Sequence, residues 1–300
     1  MTDPVIRTLD ERTVHLFDAL PDPLGAADTH IRTVHRPAWK RVALRGGRVV
    51  ARGAWWGGPD DTEPLNLNWF DVAEGEEAAG AALLRTAPWQ VELELTLPSD
   101  WREHPARRAA VETRFAAAEQ AGYEHLADRY LYRWTPDLGL PERAGRLVFR
   151  GAPDDAVFLA ALRRIQSGTL DAHARRAMGE TGDVDRAARE ELEFFHWLPS
   201  PREWWQVAYT PGGEPVGIHI PAHNPSGPCV GFIGVLPERR GHGYAYDLLA
   251  ECTHFLAARG AGFIAAATDR GNVPMAANFH RAGYPVTKER VNFTPPSPRP

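Results

Sequence analysis

The alternation of apolar and polar positions occurs twice along the chain. From Trp39, WKRVALRGGRVVARGAWW reads as a strand, a Gly-Gly turn and a second strand, which predicts a β-hairpin. From Trp204, WWQVAYTPGGEPVGIHIP reads the same way, and Gly47 aligns with Gly213 at an offset of 166 residues. NLNWFDV, ending at Val72, then answers VGFIGV, ending at Val235, at an offset of 163. Each is followed by a glycine-containing loop and an Ala/Leu-rich helix, AAGAALLRTA or GYAYDLLAECTHFLAARG. The strand-like WQVELEL and AGFIAAAT come next, and then AAAEQAGY and NFHRAGY, with Gly122 against Gly283 at an offset of 161. An order of elements kept with so little drift indicates a tandem duplication.

The Pro- and Gly-rich segment Thr135 to Gly145, TPDLGLPERAG, lacks apolar periodicity and predicts the boundary. The expected organisation is a first domain over 1–135, a linker over 136–146, a second domain over 147–293 and a flexible tail over 294–300. Between Asp154 and Trp197, AVFLAALRRIQ and VDRAAREELEFF carry apolar residues at helical spacing. The final TPPSPRP cannot enter a sheet interior, because proline has no N–H to donate.

Composition narrows the function classes. A chain of 300 residues suits two domains, and 43% hydrophobic with 24% charged residues is ordinary for a globular chain. A net charge of −5 argues against a general nucleic-acid binder. Cys229 and Cys252 have neither metal-ligand nor disulfide spacing, so no metal is expected. The N-terminus has no apolar signal region, and no stretch of about 18 apolar residues exists to span a membrane. A cytoplasmic protein without membrane or nucleic-acid partners is expected, as a monomer or homodimer.

The stretch that carries chemistry is CVGFIGVLPERRGHGYAYDLLAEC, Cys229 to Cys252. An apolar strand stops at Pro237, a tight turn with Gly241 and Gly243 follows, and an amphipathic helix begins. Unpaired amides and the helix dipole make such a start an anion site, glycines let a phosphate approach, and Arg239 or Arg240 adds charge. An ordinary strand-helix connection with surface arginines is the plain alternative. The spacing Val235-x-Pro237 then Arg240-x-x-Gly243-x-Ala245 resembles the acyl-CoA signature of the GNAT acyltransferase superfamily. Asn272, Met275, Gly283 and Tyr284 resemble the family's downstream block, in register. The resemblance spans about residues 147–293 directly and residues 1–135 through the repeat.

The resemblance implies an α/β (α+β) fold of two tandem GNAT-like domains, similar in layout to mycothiol synthase and other actinobacterial acetyltransferases. Each is a mixed, mostly antiparallel sheet flanked by helices. In the second, strands near 147–150, 205–210, 215–221, 229–236, 262–268 and 285–293 form the sheet, and those ending at Val235 and Thr268 splay apart. It further implies acetyl-CoA as the acyl donor and direct transfer to the amine of a small molecule. The alternatives are a peptide or protein amine as acceptor, or a non-catalytic acyl-CoA binder. By the same resemblance, Ile233, Gly234 and Val235 pair with the pantetheine arm. Arg240, Gly241, His242, Gly243, Tyr244, Ala245 and Tyr246 hold the pyrophosphate. Asn272 bonds near the reaction centre.

Two roles stay open. Phe279 stands where many relatives have a proton-donating tyrosine, and it packs either against the CoA or in the core. For the general base, His219 and His223 are candidates, with a structural histidine as the alternative. Glu190, Glu191 and Glu193 offer an amine-attracting helix face or a plain solvated one. Asp269 is expected to cap the helix that starts near Asn272. Cys229 and Cys252 are expected to be buried, as are the repeat-equivalent Trp55, Trp56, Trp204 and Trp205. In the first copy, Glu74, Glu76 and Glu77 occupy the loop position and Val111 stands for Asn272, so that copy is expected not to bind CoA and instead to be structural or to wall the substrate cleft.

Overall fold

The computed structural model describes residues 3–22, 24 and 35–296. The chain divides into one unit of residues 1–128 with 288–300, and a second of residues 129–287.

In the first unit, β1 (Val5–Thr8), β2 (Lys40–Arg45) and β3 (Arg48–Trp56) form an antiparallel ribbon. Gly46 and Gly47 turn β2 into β3 with φ of 56° and 80°, values that the primed hairpin turns require and that glycine adopts without strain. β4 (Asn66–Val72) runs antiparallel to β3 and leads into α1 (Glu77–Arg85). β5 (Glu92–Pro98) lies parallel to β4, but only Asn66 with Glu92 and Leu67 with Leu93 stay in register. Helix α2 (Pro105–Gln120) packs beside α1. The sheet order is β1-β2-β3-β4-β5-β12, with β12 (Val286–Thr294) antiparallel to β5.

The second unit repeats this order. β6 (Glu124–Trp134) precedes β7 (Val148–Gly151), and three helices follow: α3 (Asp155–Gln166), α4 (Ala172–Thr181) and α5 (Val184–Trp197). β8 (Gln206–Tyr209), β9 (Pro215–Asn224) and β10 (Gly227–Val235) are antiparallel. After β10 come α6 (Tyr244–Ala257), β11 (Ile264–Asp269) and α7 (Val273–Arg281). The order is β6-β11-β10-β9-β8-β7. The two alternating helices expected between Asp154 and Trp197 are α3 and α5. The sequence reading did not separate α4, whose apolar spacing is weak.

The last strand differs from expectation. The segment near 285–293 does not complete the second sheet; from Lys288 it pairs with β5, and β6 takes the place beside β11. Side chains account for the choice. Val291 and Phe293 are buried in the core with Trp101 and Leu95, and the Glu289 carboxylate accepts from Trp101 Nε1 at 3.0 Å. Tyr132 and Trp134 of β6 enter the core formed with Phe279 and Leu249. Thr294 therefore ends a strand, and the remainder of the expected tail lies outside the described residues from 297 onward.

Each unit has its own buried centre. In the first, Trp55, Leu67, Phe70 and Leu83 meet; in the second, Phe158, Phe195 and Trp205 do. Of the four repeat-equivalent tryptophans, Trp55 and Trp205 are fully enclosed, and Trp56 and Trp204 are half-buried. Cys229 and Cys252 are buried free thiols, and burial pushes both thiol pKa values up, Cys229 to about 12, which rules out a ready thiolate.

Gly217 controls how β9 meets β10. A Cβ there would lie 2.2 Å from the Gly234 carbonyl oxygen and 3.1 Å from Val235 Cα, both backbone atoms. We expect Gly217→Ala to lower unfolding free energy by about 1–3 kcal/mol, the range for overpacking. Urea denaturation followed by tryptophan fluorescence checks it, and an unchanged midpoint would refute the close packing.

Candidate active site

Two neighbouring parallel strands part company in the second unit. β10 and β11 are in register only at Cys229 with Ala265. β10 nevertheless continues to pair with β9 up to Val235 with Gly217. From Val230 onward, then, one edge of β10 faces an opening instead of a partner. A bulge between Val230 and Phe232, at Gly231, bends β10 where the divergence begins. An open strand edge offers main-chain donors and acceptors to an extended ligand. Ile233, Gly234 and Val235 lie on this stretch.

The opening leads to the start of α6. Beyond Val235, Pro237–Arg239 makes one 3-10 turn, and Gly241 and Gly243 take φ of 81° and 77°. Among the described residues, the amides of Gly241, His242, Gly243, Tyr244 and Ala245 have no intramolecular acceptor. Five unpaired N–H groups at a helix N-terminus suit an anion.

The side chains around this loop differ from expectation. Arg240 does not extend into it: its guanidinium donates to the Ile165, Ser167 and Gly168 carbonyls at 2.8, 3.1 and 3.2 Å, closing the C-terminal end of α3. Its role is to anchor the loop to α3. Arg239 pairs with Glu214 at 2.8 Å. The ring of Tyr246 is buried beneath Arg281, 3.8 Å away, so only its backbone belongs to the loop. His242 is exposed, and its Nδ1 lies 2.8 Å from the Arg240 carbonyl. The cation beside the glycines is one that sequence reasoning missed. Arg146 donates to the His242 carbonyl at 3.0 Å, pairs with Asp247 at 2.6 Å and lies over the Tyr244 ring. It falls at the end of the expected linker, where only its charge could have marked it.

Three further expectations are corrected. His219 is wholly buried, with Nε2 2.8 Å from Gln206 Oε1 and its ring against Phe149. Burial pulls its pKa down to about 3, so it neither reaches an acceptor nor takes up a proton near neutrality. Phe279 is 1% exposed and stacks on Tyr132 at 4.3 Å, leaving no surface for a ligand. Asp269 does not cap α7; Asn272 does, accepting from the Met275 amide at 3.3 Å. Asp269 instead accepts from the Ala172 amide at 2.6 Å and pairs with Arg129 at 3.1 Å. His223 lies in β9 itself, its ring against Trp204.

A charged group gathers at the end of β11. Besides Asp269 and Arg129 it includes Asp171, 3.4 Å from Arg129, and the half-buried Glu191 of α5. Glu191 stands one turn before Phe195, which packs on Phe232 of the open β10 stretch at 5.2 Å. Burial, and then the Asp171 charge, push the Glu191 pKa up to about 7, against the opposing pull of Arg129 and His173. Glu190 is held by Arg186 at 2.7 Å on the exposed face, and Glu193 is exposed. Among the described residues no group of His, Cys, Asp and Glu could hold a metal. No helix is long and apolar enough to cross a membrane, again among the described residues.

Comparison with known proteins bears on this geometry. Residues 171–284 match the acetyltransferase (GNAT) family model. A GCN5-related N-acetyltransferase from Sphaerobacter thermophilus is similar in structure, with a TM-score of 0.54 and 18% identity over 97% of this chain and 94% of that one. A glucosamine N-acetyltransferase region of a fungal multi-domain β-N-acetylglucosaminidase also reaches 0.54, at 14% identity, over 98% of this chain and 38% of that one. At these identities the likeness is one of fold. No curated protein matches the chain.

The buried His219 makes stability depend on pH. Its folded pKa lies below the unfolded value of about 6.5, so its neutral form costs nothing above that pH and the unfolded chain gains a proton below it. Between pH 6.5 and 4.5 this group alone should remove about 2–3 kcal/mol of stability. We expect His219→Phe to flatten that part of the urea-measured profile. A slope identical to that of the parent chain would show that His219 is not buried neutral.

Proposed function

We propose, from the match of residues 171–284 to the acetyltransferase (GNAT) family and the tandem GNAT fold of the whole chain, that the protein is an acetyl-CoA-dependent N-acetyltransferase acting on a small amine. The observation that carries this reading is the continuity of two features. The open edge of β10 from Val230 to Val235 runs directly into the unpaired amides of residues 241–245. A long ligand with an amide-bearing arm and a phosphate end fits that sequence of donors and acceptors. Ile233, Gly234 and Val235 would hold the arm, and the loop amides with Arg146 would hold the phosphates. Asn272 caps α7 with its side-chain oxygen, which fixes the loop between β11 and α7.

When bound, acetyl-CoA supplies an activated acyl carbon. The amine nitrogen forms a bond to that carbon as the carbon-sulfur bond breaks, and the amine proton passes to a base. A β10 amide facing the opening would stabilise the charge on the thioester oxygen. Holding the amine beside the thioester accounts for much of the rate. The base we assign is Glu191, in place of His219. It stands one turn before Phe195, which packs on Phe232 of β10, and its carboxylate gains a proton near neutrality. The departing thiolate needs no donor at the Phe279 position, since thiols ionise at about pH 8.5. The neighbouring carboxylates of Glu191 and Asp171 would favour a cationic amine as acceptor.

Titration calorimetry with acetyl-CoA and thiol release with a panel of amines test the reading. Gly243→Val forces a left-handed backbone on a β-branched residue and should weaken acetyl-CoA binding roughly tenfold or more. Binding without amine-dependent thiol release would leave the non-catalytic binder as the reading, and no binding would remove both.

Glu191→Gln should lower kcat about a hundredfold or more while leaving acetyl-CoA affinity intact. In the parent enzyme kcat should rise with pH through about 7 as the carboxylate forms, and the variant should lose that limb. A retained limb would assign the base elsewhere.

A further inference from the structure

The first unit has the same divergence between β4 and β5 that the second has between β10 and β11. In the second unit the exposed strand edge is open. In the first it is occupied by a side chain of the unit itself. Arg114, from α2, donates through Nε to the Phe70 carbonyl of β4 at 3.0 Å and to Asp71 Oδ1 at 3.1 Å, and its Nη2 also bonds Asp71. The other Asp71 oxygen receives Arg52 Nε and Trp69 Nε1, each at 2.7 Å. Arg52 and Arg114 are each 1% exposed and Asp71 is 5% exposed. Burial opposes ionisation of Asp71, but the two guanidinium groups outweigh it and hold its pKa below the usual carboxylate range. What remains of the slot is a cavity of about 30 Å³ whose lining includes Trp69, Phe70, Asp71 and Arg114 together with Asp22 and Asn68, room for one water.

The internal repeat locates the same three positions in the second unit. Arg52 and Asp71 are cross-strand partners in β3 and β4, and Ile218 and Gly234 are cross-strand partners in β9 and β10. The alignment that sets Val111 against Asn272 sets Arg114 against Met275, which is half-buried and uncharged. All three charged members of the first-unit group are therefore uncharged in the second. The carbonyl that Arg114 holds, that of Phe70, aligns with that of Ile233 on the open edge.

We infer that Arg114 is an internal ligand of the first unit, whose guanidinium occupies the β4 edge and the Asp71 carboxylate and closes that slot to any extended ligand. The slot is a guanidinium site that the chain fills for itself. This goes beyond the acyl-transfer reading and does not depend on it. Arg114→Ala should leave Asp71 buried and half-paired, and should lower Tm by roughly 10 °C. Millimolar ethylguanidinium should raise the Tm of that variant by several degrees and leave the parent chain unmoved. A variant Tm within a degree of the parent, or an equal response of both chains to ethylguanidinium, would overturn the inference. Native mass spectrometry of the parent chain with coenzyme A gives a second readout, should the variant fail to fold. At most one bound molecule is expected, and two would mean that the first slot is open. None at all would remove the acyl-CoA reading of the second unit and leave the closed first slot standing.

Discussion

The failure of two adjacent parallel strands to stay paired is the constraint on which this structure depends. A β-strand edge carries unmet donors and acceptors, and a sheet normally satisfies them with the next strand. In the second unit β10 keeps one partner in β9 and loses the other after Cys229, so part of a sheet interior keeps an unpaired strand edge. The bulge at Gly231 turns the strand, and the left-handed Gly241 and Gly243 let the chain enter α6 with its first amides unpaired. Side chains contribute support more than contact. Arg240 ties the loop to the end of α3, and Arg146 joins the loop carbonyl at His242 to Asp247 in the first turn of α6.

The first unit meets the same problem with the opposite outcome. Its strands also diverge after two registered pairs, but a buried charged group satisfies the exposed edge. Burying an aspartate between two arginines is costly unless every partner is placed, and here Asp71 receives Arg52, Arg114 and the Trp69 ring N–H. One repeated architecture thus has two endings, one open and one self-satisfied. The difference lies in three residue pairs, Arg52 with Ile218, Asp71 with Gly234 and Arg114 with Met275.

Much of the fold was legible from periodicity. The paired hairpins, the strand-loop-helix at Val235 to Ala257 and the closing Gly-Tyr blocks all stand as elements in the expected order. The phosphate-type loop was legible because glycines near φ 80° at a helix start are a local, sequence-encoded feature. The side-chain roles were not. Arg240 has the type and position of a phosphate ligand, yet carbonyls that are distant in sequence claim its guanidinium. His219 lies on a predicted strand, but only the packed sheet reveals that no solvent reaches it. Glu191 looked like one of three helix-face carboxylates until burial brought Asp171, Arg129 and His173 to bear on it.

By itself the chain determined the duplication, the alternation of strands and helices, and the glycines that make a tight left-handed turn at the start of α6. These depend on local propensity and on spacings of a few residues, which a linear chain carries directly. Tertiary structure alone decided which strand fills the sixth place in each sheet, which arginines are already engaged and which carboxylate is desolvated. Those outcomes turn on contacts between residues tens to hundreds of positions apart, such as Glu92 with Asn292 and Arg114 with Asp71. Burial and pairing at such separations are properties of the packed molecule, set by competition among all the groups that could reach the same atom.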